Sequence, residues 1–246
     1  MRRFDKRGAA YTPWMAPMWA LVLALALGAC GGGNGIGPDE IRKRENALRD
    51  DLPVSWDLYN ATSYTEAIDA FSKVLQDADN IEGIDNVRNE IKSEAQNGIG
   101  WSFFKLQQLA EAALAFDQAT RLDRTNADAW VGGSGVALAR QDYGRAVQFG
   151  SQALEIDPTY SSGTRADISG RLLNHDDFDV RQLRVLLAEA YFQLGRYSAI
   201  DRPDPNNATA QLRLLDGSFR FSDPGQLLQG ISQAALGLNQ GLGGGI

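Results

Sequence analysis

The chain has 246 residues, 43% of them hydrophobic and 22% charged, with a formal net charge of −7, one cysteine and one histidine. Such a composition suits a folded chain of one or two domains, and its acidic balance excludes general nucleic-acid binding, which needs a basic footprint. A lone cysteine excludes an intramolecular disulfide and a cysteine-rich metal site, and His175 alone leaves little for acid–base or metal chemistry.

The first element reads as an export leader. Arg2, Arg3, Lys6 and Arg7 precede an apolar run at residues 19–27. Nine helical residues reach about 14 Å, well short of a hydrocarbon core of roughly 30 Å, so the run is too short to span. It ends in "LGAC", residues 27–30: an aliphatic residue, two small residues and Cys30. This resembles the lipobox of bacterial lipoproteins. The resemblance implies cleavage before Cys30 and a diacylglycerol-type lipid anchor on its sulfur. Two or more acyl chains hold a protein stably on a membrane where one does not. The alternative is an ordinary signal peptide, or an uncleaved anchor, with an incidental cysteine. On the lipoprotein reading, residues 1–29 are a signal peptide and 30–39 the lipidated cysteine with a glycine-rich tether. Gly31 then implies an outer-membrane protein facing the periplasm, if the organism is Gram-negative.

The body predicts helices in pairs. Residues 39–52 form an extra helix or an extension, Pro53 limits the start of a helix at 55–62, and "YTEAIDAFSKVL" (64–75) is strongly amphipathic. Two segments, 93–126 and 127–160, then align without a gap over 34 residues each. Gly100 falls on Ser134, Ala112 on Ala146 and Ala119 on Ala153. Small residues let backbones approach where helices cross, and Phe103 and Phe116 fill the space beside the crossing. With Trp130, Ala146, Ala153 and Pro158 at matching places, this spacing resembles the tetratricopeptide repeat. The resemblance extends to a unit near 48–81, offset by an insert at 82–92, and to a partial unit at 181–200 after an insert at 161–180. "DRPDP" (201–205) interrupts the last unit where its second helix belongs. Residues 201–246 are expected to hold a capping helix and a loose tail. Asp223 is its N-cap and Pro224 its first position, with Leu227, Leu228, Ile231, Ala235 and Leu238 as its apolar face. The expected fold is all-α, a tetratricopeptide-like α–α superhelix of about three to four helix-turn-helix units with extra terminal helices.

Three short motifs offer chemistry and lack its parts. His175 in "NHDDFD" (174–179) reads as a solvated acidic turn rather than a metal site, because no second His or Cys accompanies it. "GGSG" (132–135) misses the last glycine of a nucleophile turn. "DADNIEGID" (77–85) misses the terminal Glu of a calcium loop. Neither cofactor nor enzymatic activity is expected.

The family resemblance implies a concave groove lined by the first helix of each unit. Asn97, Trp101, Phe104 and Lys105, then Val131 and Leu138, then Glu189 and Phe192, are the candidate partner-binding residues. Glu94, Asp128, Gln182 and Val185 map to the same face. Two outcomes are open: the aromatics anchor a protein or peptide partner, or an insert or the last helix fills the groove and they are core. The functional expectation is a membrane-anchored scaffold for assembling or anchoring an envelope complex. The alternative is a small-ligand-binding lipoprotein that serves a transporter.

Overall fold

The computed structural model describes residues 37–80, 85–161, 175, 178–199 and 204–241. The leader, Cys30 and the tether lie outside these residues, apart from Gly37 and the start of the first helix. So do 162–174, 176–177 and the last five positions. Among the described residues there are nine helices and no named strand. They are α1 (Pro38–Asn60), α2 (Tyr64–Asp79), α3 (Asp85–Lys105), α4 (Leu109–Leu122), α5 (Ala127–Ala139), α6 (Tyr143–Ile156), α7 (Val180–Gln193), α8 (Ala208–Leu215) and α9 (Pro224–Gly241). The first eight form successive hairpins in a tetratricopeptide-like all-α fold, and α9 packs on α7 and α8.

One turn recurs between the helices of every hairpin. Thr62, Gln107, Gln141 and Gly195 all take left-handed backbone, with φ of 62°, 60°, 61° and 68°. Their spacings are 45, 34 and 54 residues, so the register is 34 with inserts of 11 and 20. Each is the αL residue of the same helix stop. Gln141 N–H donates to Leu138 O (2.8 Å) while Asp142 N–H reaches back to Ala137 O (2.9 Å). Residues 62–63, 107–108 and 195–196 repeat this pair of bonds. A second device closes the following helix. Asp123 Oδ1 accepts from Thr125 N–H (2.8 Å), Asp157 Oδ1 from Thr159 N–H (2.9 Å) and Asp216 Oδ1 from Ser218 N–H (2.8 Å).

Packing between hairpins pairs a large ring with a missing side chain. A Cβ on Gly98 would lie 2.2 Å from the Phe71 ring, and one on Gly132 2.2 Å from Phe116. The next junction reverses the sizes: Gly150 takes the helix-B position and Leu187 of α7 fills the gap, 2.9 Å from where a Cβ would stand. Phe71, Phe116 and Leu187 are almost fully buried, so these contacts set the helix spacing.

Four local readings change. Pro53 does not start a helix; α1 runs through it. Pro53 and Val54 face solvent, so water can reach the backbone acceptor that the proline leaves, while Leu48, Trp56 and Tyr59 stay on the buried side. The insert at 82–92 lengthens a helix, because α3 starts at Asp85. Beyond "DRPDP", α8 supplies the second helix of the last hairpin, N-capped by Asn207 Oδ1, which accepts from Ala210 N–H (2.9 Å). In α9, Leu227 and Ile231 are buried and Asp223 caps through Gln226 N–H (3.1 Å), but Leu228 is exposed, one step around the helix from the buried stripe.

Candidate partner-binding groove

Helices α3, α5 and α7 present the first-helix face of the repeats, and their residues divide it into a closed part and an open part. The closed part centres on Asp128 of α5, which is 1% exposed. Asn97 Nδ2 donates to its Oδ2 at 2.7 Å, Trp101 Nε1 at 3.3 Å, and the Tyr160 hydroxyl donates to Oδ1. His175 Nε2 lies 3.0 and 3.1 Å from the two carboxylate oxygens. A carboxylate only accepts, so Nε2 carries the proton. Burial pushes the Asp128 carboxyl upward, but the neighbouring His175 charge and the bonds from His175, Asn97 and Tyr160 outweigh it and hold the pKa below the usual carboxylate value.

The reading of His175 as part of a solvated turn is therefore corrected: the residue is 2% exposed. Its ring stacks on Trp56 (centroids 5.3 Å, 21° apart) and meets Trp101 at 4.7 Å and Tyr59 at 5.8 Å. Three rings and a carboxylate are enough to draw a polar side chain inward. The ends of its segment are joined by the Ser161–Asp179 bridge and by Val180 N–H to Tyr160 O (2.8 Å). Asn97, Trp101 and Val131 are buried here, and the Asn97 Nδ2 and Trp101 Nε1 donors are taken up by Asp128. "GGSG" is equally internal: buried Ser134 donates to Ala146 O at 2.7 Å.

The open part is a cleft of about 610 Å³ between α3, α5, α7 and α9. Trp101, Phe104, Leu138, Phe178, Val185 and Leu186 supply its apolar lining, with Lys105, Gln182 and Glu189 among them. Four of the eight groove residues expected from the sequence thus meet at the cleft with a partly exposed side chain: Phe104, Lys105, Leu138 and Glu189. Trp101 also lines it but is only 2% exposed. Phe192 is not among the lining residues; it stacks on Tyr197 at 5.4 Å. Sequence reasoning missed Phe178 and the α9 wall of Ala235 and Leu238. The apolar stripe of α9 and its place over the last hairpin were expected; that Ala235 and Leu238 would wall the cleft was not.

Among the described residues, no group of three or more His, Cys, Asp and Glu side chains is placed to hold a metal ion. Likewise, no described helix is long and apolar enough to cross a membrane.

Comparison with known proteins agrees with the repeat register. Residues 97–161 match the family model described as tetratricopeptide repeat. That segment covers the end of α3 and all of α4, α5 and α6, where the 34-residue alignment has no gap. No curated protein matches the chain. Among solved structures, the crystal structure of MamA protein aligns over 83% of this chain and 98% of its own at 14% identity, with a TM-score of 0.34. An overlay that loose adds nothing to the fold described above.

Proposed function

We propose that the chain is a protein-interaction scaffold held at the cell envelope by a diacylglycerol-type lipid on Cys30. It binds one segment of a partner protein in the cleft between α3, α5, α7 and α9, and serves to assemble or anchor an envelope complex. The observation that carries the binding reading is the cleft itself. An apolar floor of Phe104, Leu138 and Val185 beside Lys105 and Glu189 gives anchoring by burial and orientation by charge. The leader, the "LGAC" sequence and the glycine tether support the anchor.

Crosslinking capture from membranes tests both halves. A partner captured by the wild type is expected to fall by about tenfold or more, worth ~1.4 kcal/mol, with Phe104→Asp or Leu138→Asp. It should persist with Leu114→Asp, which alters an exposed side chain of α4 away from the cleft. Retention of every partner by both cleft variants sinks the reading. Cys30→Ser should abolish lipid labelling while leaving cleft binding in detergent extracts unchanged; labelling that persists removes the anchor.

A second reading has its own support. Ala235 and Leu238 wall one side of the cleft, and its volume lies within the roughly 300–1,000 Å³ of small-molecule sites. A small apolar ligand that co-purifies with the wild type and is lost from Phe104→Asp would favour a transporter-accessory binding lipoprotein.

A further inference from the structure

The closed part of the groove has the parts of a receptor for positive charge. Trp56 and Tyr59 of α1 and Trp101 of α3 surround one small space, with Asp128 of α5 at its base. A second buried carboxylate, Glu94, stands behind Trp56 and accepts from its Nε1 at 3.0 Å. Aromatic faces attract cations through the ring quadrupole, and the attraction grows when water is excluded. With His175 in place, Trp56 is 1% exposed, Trp101 2% and Asp128 1%.

The box has supports besides His175. Asn97, Trp101 and Tyr160 orient the Asp128 carboxylate, and all three belong to repeat helices or to the turn after α6. Trp56 is fixed separately, by Glu94 and by an edge contact with Phe71 at 5.1 Å. His175 comes instead from outside the helices, 47 residues along the chain from Asp128. Its imidazole offers one N–H to the carboxylate.

We propose that the box of Trp56, Tyr59, Trp101 and Asp128 is a recognition site for a small organic cation, which His175 fills as an internal ligand. The chemical class is imidazolium or alkylammonium. It enters as a free molecule or as the basic side chain of a bound peptide, in competition with His175. The box shares only Trp101 with the cleft, and its test needs no partner protein.

The test is chemical rescue of His175→Ala in the full chain. Thermal unfolding is followed at pH 6, where free imidazole is largely protonated. The variant is expected to melt below the wild type. Imidazole and tetramethylammonium should raise its melting temperature along a saturating curve and recover most of the loss. Sodium chloride at equal concentration and toluene, an uncharged filler, should not. Equal recovery with toluene overturns the proposal, because the space is then an apolar cavity. Absence of any saturable recovery overturns it as well.

If His175→Ala does not fold, the wild type decides. His175 is the sole histidine, so its labelled ring is a single NMR signal. Titration with tetramethylammonium, or with a short lysine peptide, should move that signal saturably to the position of a solvated imidazole. A signal that stays in place at concentrations leaving the fold intact contradicts a cation site. Displacement by tetramethylammonium alone identifies a small solute; displacement by the peptide identifies a partner's side chain.

Discussion

Asp128→Asn is expected to lower the melting temperature by roughly 6–12 °C at neutral pH, from a loss of about 3 kcal/mol in a domain of this size. Asn97, Trp101, Tyr160 and His175 all point donors at two carboxylate oxygens. Asparagine keeps one acceptor and turns an N–H₂ toward the rest, which leaves buried donors without acceptors and removes the charge facing His175. The effect has a defined pH dependence. The folded pKa of Asp128 lies below its unfolded value of about 3.8. Its contribution is thus fully present above pH 4 and is lost as the pH falls through the folded value. The gap between wild type and variant should close as the pH falls below 4. Melting curves across that range check it. A gap that stays undiminished well below pH 4 would show that Asp128 is not the ionised partner of this network.

Gly132→Ala should cost about 3 kcal/mol, at the upper end of the ~1–3 kcal/mol for an overfilled core. The added Cβ would lie 2.2 Å from two Phe116 ring atoms. That ring has no room to swing, since Gly100 seats it on one side and Trp101 meets it edge-on at 5.5 Å. Adding Phe116→Leu should restore part of the loss, which isolates the contact from any general preference at position 132. Gly144→Ala is the control. Nothing lies within 3.9 Å of its Cβ, so relief of glycine's chain entropy should leave it neutral or slightly stabilised. Denaturant titration separates the three. Equal losses at 132 and 144 would refute the ring-on-glycine account of hairpin spacing.

What could be read from the sequence follows from what repeats locally. The small residues at 100, 112, 119, 134, 146 and 153 mark helix crossings, and their 34-residue spacing survives because every hairpin needs the same clearance. The second helix of the last hairpin was also marked. Asp216-Gly217-Ser218 repeats the Asp-x-Thr turn at 123–125 and 157–159, so a helix should precede it even though the prolines of "DRPDP" stand ahead of that helix. Pro53 misled in the opposite sense, because a proline on a solvated face bends a helix more readily than it ends one.

The groove was half legible for a different reason. The first helix of each unit identifies the face but not what lies over it. Asp128 and Asn97 lie on that face, yet His175 reaches them across 47 and 78 residues from a stretch with no periodicity. Phe104, Lys105, Leu138 and Glu189 open to the cleft because His175 covers the neighbouring end and α9 stops at Leu238's side of it. The chain thereby fixes which part of a generic repeat surface a partner can use.

The claim that the chain itself closes one end of its groove is tested most directly by the ring NMR of the single histidine in the unliganded wild type. A buried His175 predicts one Nε2 proton that exchanges slowly with water and shows cross-relaxation to indole protons of Trp56 and Trp101. A ring with fast-exchanging protons and no aromatic neighbours would contradict it, and would return Asn97 and Trp101 to the open surface.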